Sequence, residues 1–354
     1  MNALIAMSGG VDSSVAAYEM KKEGYHCAGA MMRMFSGEIL GPGCLCPDAT
    51  EDARSVARGL EMDFHVFDAT ETFRREVMDA FVHSYESGDT PNPCFVCNRK
   101  LKFDYFLQKA LALGFQVIAT GHYAQIRQDP ETGRYLLCKA ADIAKDQSYF
   151  LACLTQEQLA HMRFPLGAMN KTQVREIARE QGFLNARKRD SQDICFVPDG
   201  DYMAFLERYT GKQYAAGDFL DQSGNVVGRH RGAVAYTLGQ RKGLGLAMGA
   251  PVYVCGKDMA ANTVTVGSNE ALFHRELTAD SWVWFPFPAL TAPLRVMAKA
   301  RSRMSEQPAT VYPMAQGFVR VVFDEPQRAM TPGQAVVLYD GDIVVGGGII
   351  REVL

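Results

Sequence analysis

The first half of the chain is expected to fold as an α/β unit with a doubly wound parallel sheet, followed by a small central domain and a C-terminal β-barrel. Three observations predict this. Strand-like apolar runs alternate with helix-like stretches through the first third. From about Asp199 the pattern shifts to Gly, Tyr and short apolar alternations. From about Glu270 to Leu354, short β-like runs follow one another, with turn signals every roughly 8–12 residues, as in a small closed sheet.

The elements follow in order. Ala3–Met7 reads as a buried strand, Val11–Lys22 as a helix, Tyr25–Met32 as a strand and Asp48–Gly59 as a helix. Phe64–Phe67 is a strand, Phe103–Leu113 a helix and Phe115–Thr120 a strand. Tyr123–Ile126 and Tyr135–Lys139 flank Asp129-Pro130-Glu131-Thr132-Gly133, a hairpin signature. Helical stretches follow around Gln147–Cys153, Gln156–His161 and Lys171–Gln181. Short strands are expected within Gly217–Arg229 and Val252–Val266. The barrel strands are Leu294–Ala300, Ala309–Pro313, Val319–Phe323, Ala335–Tyr339 and Ile343–Val345. Composition shifts place the divisions at 1–198, 199–268 and 269–354. In a doubly wound sheet ligands sit beyond the carboxyl ends of the strands, so the loops after Met7, Met32 and Thr120 draw attention.

Composition narrows the class. At ~150 residues per domain, the 354 residues predict two or three domains. A hydrophobic fraction of 47% and a charged fraction of 22% exclude a disordered or fibrous chain. The net charge of −3 excludes nucleic-acid binding by bulk positive charge, though not by local basic strips. Nine cysteines are too sparse for a disulfide scaffold. No basic leader precedes Ala3-Leu4-Ile5-Ala6-Met7, and no stretch approaches ~18 apolar residues. A reducing, cytoplasmic setting without a membrane partner is expected.

Ser8-Gly9-Gly10-Val11-Asp12-Ser13-Ser14 lies between the first strand and the first helix. Two glycines let successive N–H groups face an anion, and the helix N-terminus adds partial positive charge. Asp12 suits a helix cap or a magnesium-side carboxylate. No lysine lies in the loop, so it is not a Walker-type P-loop. A plain Gly-Gly turn with a helix cap is the structural alternative. The run resembles the signature of the PP-loop (adenine nucleotide alpha hydrolase-like) ATP pyrophosphatases, which cleave ATP to AMP and pyrophosphate.

Thr90-Pro91-Asn92-Pro93-Cys94-Phe95-Val96-Cys97-Asn98 precedes Lys100 and Lys102, with a helix expected to start near Cys97 or Asn98. A thiol at a helix N-terminus beside lysines is expected to have a lowered pKa. Cys195 follows the polar run Lys188–Ile194, whereas Cys27, Cys138, Cys153 and Cys255 lie in apolar runs and read as buried small hydrophobes. Cys44-Leu45-Cys46 is a close pair that reads as a redox or metal element or as incidental. His26, His65, His83 and His161 have no motif context.

With these blocks in order, the whole chain resembles the MnmA family of tRNA 2-thiouridylases. Further matching runs are Ala119–Tyr123, Lys145–Leu151, Asp190–Phe196, Tyr236–Gly245, Phe323–Pro326 and Thr331–Gln334. The resemblance implies a PP-loop domain, a central domain and a β-barrel, with wobble 2-thiouridine as product. It implies ATP binding by Ala6, Met7, Ser8, Gly9, Gly10, Val11, Asp12 and Ser13, with Met32 and Gly121, and Mg2+ as companion ion. Adenylation of the uridine O2 would turn it into an AMP leaving group. Cys195 matches the family's persulfide carrier and Cys97 its nucleophile, leaving a Cys97–Cys195 disulfide to be reduced each cycle. The sulfur source would be a cysteine desulfurase or sulfur-relay protein. The base must leave the anticodon stack. Matching tRNA contacts are Asn92, Pro93, Cys94, His122, Lys145, Asp146, Gln147, Arg301, Ser302 and Gln334.

Arg295, Lys299, Arg301 and Arg303 form a basic strip in sequence, and Arg187-Lys188-Arg189, Arg229-His230-Arg231 and Arg241-Lys242 form others, with solvated charge as the plain reading. Cys94 departs from the family, many members carrying Asp there, and Ser302 replaces a frequent aromatic. With Cys94, the trio Cys94, Cys97 and Cys195 suits a [4Fe–4S] cluster with one open iron, an alternative sulfur route. A PP-loop synthetase acting on a small carboxylate, needing no thiols, and a non-catalytic tRNA-binding protein are the readings from other classes.

Overall fold

The computed structural model describes residues 1–35, 49–186, 188 and 194–354. The parallel sheet begins with β1 (Asn2–Ala6), β2 (His26–Arg33), β3 (Phe64–Asp68) and β4 (Val117–Ala119). A hairpin follows, β5 (Gln125–Gln128) and β6 (Tyr135–Cys138), and then β7 (Met162–Arg163). The order β3-β2-β1-β4-β7 puts β1 in the centre, with Leu4 opposite both Ala28 and Ile118. Ala3, Leu4 and Ile5 are fully buried, which explains why this strand is a continuous apolar run rather than an alternating one. The helix Val11–Lys22 returns across the sheet, and Ala49–Gly59 buries Ala53, Val56 and Ala57 beside it.

One large element was not expected. Thr70–Phe73, a π-helical turn at Arg74–Met78 and Asp79–Glu86 form a continuous helical run. Phe73, Val77, Phe81 and Tyr85 repeat at helical spacing and are buried. Phe73 and Phe81 pack edge-on against Phe196, the neighbour of Cys195, at centroid distances of 5.6 and 5.1 Å. The helix Tyr202–Thr210, also unexpected, adds Phe205 to this aromatic cluster. Its start is set by the Asp201 carboxylate, which accepts from the Ala204 N–H.

The central sheet consists of β8 (Gly217–Leu220), β9 (Val226–His230), β10 (Tyr253–Asp258) and β11 (Thr263–Gly267), in the order β10-β11-β8-β9. The barrel follows: β12 (Phe273–Trp284), β13 (Leu294–Lys299), β14 (Gln307–Pro313), β15 (Val319–Arg328), β16 (Ala335–Asp340) and β17 (Ile343–Val353). It runs β12-β15-β14-β13-β16-β17 and closes through β12–β17 pairing, so a paired edge replaces an open one. The strand β12 is additional to those expected, and β17 runs well beyond Val345.

The units are stitched together. The β5–β6 hairpin joins the barrel where Ile343 pairs with Cys138. The Arg134 guanidinium donates to the Phe285 and Trp284 carbonyls at 2.7 and 2.8 Å. Tyr149, from the helix Ser148–Leu151, donates its hydroxyl to the Ala335 carbonyl at 2.8 Å. Phe95, Phe103 and Tyr149 share one apolar core with Ala335, Val337 and Tyr339 of the barrel. Among the described residues no helix is long and apolar enough to cross a membrane.

Candidate active site

Backbone geometry at the phosphate loop demands glycine. Gly9 has φ +72°, and a Cβ there would sit 2.4 Å from the Ala49 carbonyl oxygen. Gly121, from the loop after β4, lies so close to the first helix that a Cβ would meet the Asp12 carbonyl carbon and the Ser13 nitrogen at 2.7 Å. The Ser8 N–H donates to Ser13 Oγ at 3.1 Å, and the Ser13 and Ser14 hydroxyls donate to the Gly10 carbonyl at 3.1 and 3.0 Å.

Asp12 does not cap the helix. Gly10 occupies the cap position, in extended conformation and without a side-chain cap. The Asp12 carboxylate instead takes the Lys171 ammonium on both oxygens, at 2.7 and 2.8 Å, and the Tyr123 hydroxyl at 2.8 Å. Lys171 opens the helix Lys171–Glu180, whose start is fixed by a reciprocal Asn170–Gln173 capping box. A lysine therefore reaches the loop from far along the chain, although none lies within it. Asn185, buried, braces the same loop, donating to the Gly9 carbonyl at 3.1 Å and Ser14 Oγ at 2.9 Å. Neither residue carries a local sequence signal.

A cavity of about 960 Å³ opens beyond the carboxyl ends of β1, β2 and β4. Ala6, Met7, Ser8, Asp12, Ser13, Met32 and Gly121 line it, as do His122 and Gln147. Gly9, Gly10 and Val11 are not on its wall; Val11 is buried with Val15 and Ala16. Arg33, Thr50, Arg54 and Lys102 also face this space.

The thiols lie beside it. The helix Pro93–Cys97 starts earlier than expected: Asn92 is its cap, accepting from the Phe95 N–H at 3.2 Å, and Pro93 takes the first helical position. Cys94 consequently occupies the first turn, and Cys97 lies at the end of this helix, where the chain continues as a π-helical stretch, Asn98–Tyr105. Cys97 is buried; Cys94 and Cys195 reach solvent through an otherwise enclosed surround. The expectation of a lowered Cys97 pKa is overturned. Burial pushes the Cys94 and Cys97 thiols up, and Lys102 offsets this only in part. The Cys195 thiol is pushed up to about 12, by burial first and then by the neighbouring Cys97 and Cys94. Cys94, Cys97, Cys195 and Lys102 thus act on one another's charge. Cys153, buried and within charge reach of Cys97, directs its thiol to the Phe95 carbonyl at 3.5 Å.

His122 lines the cavity within charge reach of Lys102. Its Nδ1 is 2.7 Å from Thr120 Oγ1, and its ring packs against Phe103 and Phe164. Burial, aided by Lys102, holds its pKa well below the usual imidazole value, so the ring is neutral.

Several residues matched to tRNA contacts turn inward. Asp146 accepts from the Ala140 N–H and from the N–H and hydroxyl of Ser148. Gln147 accepts from the Tyr123 N–H at 2.9 Å while still facing the cavity. Arg301 donates to the Leu238 carbonyl at 3.2 Å and to Thr331 Oγ1, and burial lowers its pKa. Gln334 donates to the Thr90 and Pro91 carbonyls at 2.8 and 3.1 Å. Lys145 lies in the half-exposed turn Ile143–Lys145, and Ser302 is half-buried. The basic strip breaks up, with Arg295 paired to Asp324, Lys299 over the Tyr149 ring and Arg303 left exposed. Arg229 is paired with Asp218 and Lys188 with Asp52. Cys44, Cys46, Arg187 and Arg189–Asp193 lie outside the described residues. Among the described residues, no group of three or more His, Cys, Asp or Glu is placed to hold a metal ion.

Three family models match the chain end to end. They are described as a tRNA methyl transferase HUP domain over residues 1–199, a tRNA methyl transferase PRC-barrel domain over 203–268 and an aminomethyltransferase β-barrel domain over 274–350. A protein named tRNA-specific 2-thiouridylase MnmA from Clostridioides difficile (strain 630) is 47% identical, covering 99% of this chain and 98% of that one. Its namesake from Moorella thermoacetica (strain ATCC 39073 / JCM 9320) is 48% identical, covering 99% of each. Among solved structures, a 4-thiouridine synthetase–RNA complex with bound ATP is 19% identical with a TM-score of 0.36, covering 58% of this chain and 50% of that one. An NH3-dependent NAD synthetase from Campylobacter jejuni is 14% identical with a TM-score of 0.32, covering 60% and 76%. Likeness at that level carries no functional argument.

Proposed function

This chain belongs to the tRNA-specific 2-thiouridylase MnmA family, and we propose that it is a tRNA sulfurtransferase that thiolates C2 of the wobble uridine at the expense of ATP. The observation that carries the reading is Lys102. It lines the nucleotide-sized cavity and also bears electrostatically on Cys94, Cys97 and Cys195. Activation by ATP and transfer of sulfur are thereby neighbours. An amide-forming synthetase acting on a small carboxylate has no use for such thiols.

The phosphate loop, with Gly9 and Gly10 at its turn and the first helix behind, receives the ATP phosphates. Attack of the uridine O2 on the α-phosphorus releases pyrophosphate and leaves C2 bearing an AMP leaving group. The terminal sulfur of a Cys195 persulfide attacks C2, the C2–O bond breaks and AMP departs. The Cys97 thiolate then attacks the Cys195 sulfur. The S–S bond to the base breaks, its electron pair stays on the new 2-thio group, and a Cys97–Cys195 disulfide remains. An external dithiol supplies the two electrons that restore both thiols. A raised Cys97 pKa means that the resting thiol is protonated, and Lys102 is the nearby charge favouring its ionisation.

Neutral His122 suits a hydrogen bond to the target base. The sulfur enters from a cysteine desulfurase or relay protein, and residues 199–268 and 269–354 add tRNA contacts to those of the first domain. Magnesium has the Asp12 carboxylate to bind, yet both oxygens already hold the Lys171 ammonium, an arrangement that does not fit a resident dication. Cys94, Cys97 and Cys195 are the residues that would hold a cluster in the alternative route; the persulfide route proceeds without one.

The test is a single turnover with ATP, substrate tRNA and a persulfide donor. One AMP and one 2-thiouridine per disulfide formed is the expected result. AMP release without 2-thiouridine, or with an amide product, overturns the reading.

A further inference from the structure

We propose that Gln334 is a positioning residue for the cysteine helix, through which the barrel sets how Cys97 approaches its partner sulfur. The inference rests on the thiol chemistry above. The loop Thr331–Gln334 precedes β16 and is anchored on β17: the Gly333 N–H donates to the Ile350 carbonyl, and the Ile350 N–H to the Gln334 carbonyl, both at 2.9 Å.

On its other side this loop grips the approach to the thiols. The Gln334 amide nitrogen donates to two successive carbonyls, Thr90 at 2.8 Å and Pro91 at 3.1 Å. The Thr90 N–H donates back to the Pro332 carbonyl at 3.0 Å. The fit is close: a Cβ on Gly333 would come within 3.1 Å of the Asp89 Cβ and of the Thr90 carbonyl oxygen. Pro91 and Pro93 have no N–H, so this segment has few backbone donors of its own and depends on contacts from outside. The next residue, Asn92, caps the helix that carries Cys94 and Cys97. Arg301 holds the loop from behind, joining Thr331 to the Leu238 carbonyl of the central domain.

A shift of the Thr90 and Pro91 carbonyls moves the cap, and with it both thiols. Thiol exchange needs the attacking and leaving sulfurs aligned, and a misplacement of ~1 Å costs on the order of 10²-fold. The amide nitrogen of Gln334 is directed at the two protein carbonyls, the geometry of a strut between the barrel and the cysteine helix.

The full-length protein is compared with Gln334→Met, which keeps the volume and loses the donors, and with Gln334→Lys, which restores donors. Gln334→Met is followed at saturating tRNA, so that any change in affinity does not enter the rate. Sulfur transfer at saturating tRNA and ATP should slow by about tenfold. Alkylation of buried Cys97 by iodoacetamide, mapped by mass spectrometry, should rise at least about threefold, and Gln334→Lys should reverse both changes. A tRNA Kd weakened about tenfold, with saturating rate and alkylation unchanged, makes Gln334 an RNA contact and overturns the proposal. If Gln334→Met does not fold, Gln334→Glu, isosteric and unable to donate, answers by the same readouts. The alkylation readout does not depend on thiolation. If the wild type makes no 2-thiouridine, the functional reading falls, while unchanged Cys97 alkylation in the variant overturns the strut.

Discussion

The phosphate loop is one contiguous run, Ser8–Ser14, shaped by its own hydrogen bonds and braced from outside by Tyr123, Lys171 and Asn185. The thiol cluster is assembled from two segments far apart in sequence, Cys94–Cys97 and Cys195, and is braced by a loop of the barrel. The loop needs glycine backbone freedom and a helix end, which a short motif supplies. The cluster needs burial, a neighbouring ammonium and an external strut, which only tertiary structure supplies. Local chemistry is therefore robust in the first region and dependent on the domain junction in the second.

The largest effect should separate the two regions outright. Cys97→Ser and Cys195→Ser are each expected to cut 2-thiouridine formation by on the order of 10³-fold or more, while tRNA-dependent AMP release persists. Nucleoside mass spectrometry beside an AMP assay reads both. The reverse experiment breaks the loop. Gly9→Ala forces a side chain into left-handed backbone and against the Ala49 carbonyl. The expected cost is about 3 kcal/mol, near a 10²-fold loss of ATP affinity by calorimetry, with the thiols intact.

The part-buried Lys171–Asp12 pair tests whether the loop is as self-contained as its sequence. Lys171→Met strands the carboxylate and is expected to lower unfolding free energy by about 1–3 kcal/mol in urea titration. No change would mean that solvent already supports Asp12.

The thiols should also declare their burial through pH. With Cys195 pushed up to about 12, its alkylation rate should climb about tenfold per pH unit from pH 8 to 10. A plateau by pH 8 would place it among activated thiols. The folded state favours the protonated thiol, so this contribution to stability is present below the unfolded thiol value of ~8.5 and is lost as pH rises toward 12. The smallest effect is expected at the paired surface arginines. Arg295→Ala and Arg229→Ala should each change tRNA affinity by less than about twofold, with a salt slope altered by less than one. A larger change would show that the pairs with Asp324 and Asp218 open for RNA.

How much of this was legible depended on distance along the chain. The first helix, Val11–Lys22, was read to the residue because Gly-Gly sets its start and its end follows basic residues. Four of the five strands of the parallel sheet are legible to within two residues, while the two-residue edge strand Met162–Arg163 is too short to show; the helical run from Thr70 to Glu86 has its signal in Phe73, Val77, Phe81 and Tyr85. The helix start at Pro93 is readable from Asn-Pro, although the lysine-rich run that follows draws the expected start to Cys97 or Asn98. The Cys97 pKa was misjudged because lysines are visible in sequence and burial is not. Lys171, Asn185 and the inward turn of Arg301 and Gln334 have no local pattern at all, since each acts on residues far away in sequence.

The most direct test of the central claim is a rapid-quench single turnover of the persulfide-loaded protein with tRNA and ATP, following AMP, 2-thiouridine and the Cys97–Cys195 disulfide together. The three should appear in a 1:1:1 ratio, and Cys97→Ser should form AMP without releasing 2-thiouridine. Stoichiometric 2-thiouridine from Cys97→Ser, or 2-thiouridine formed without AMP, would contradict that claim.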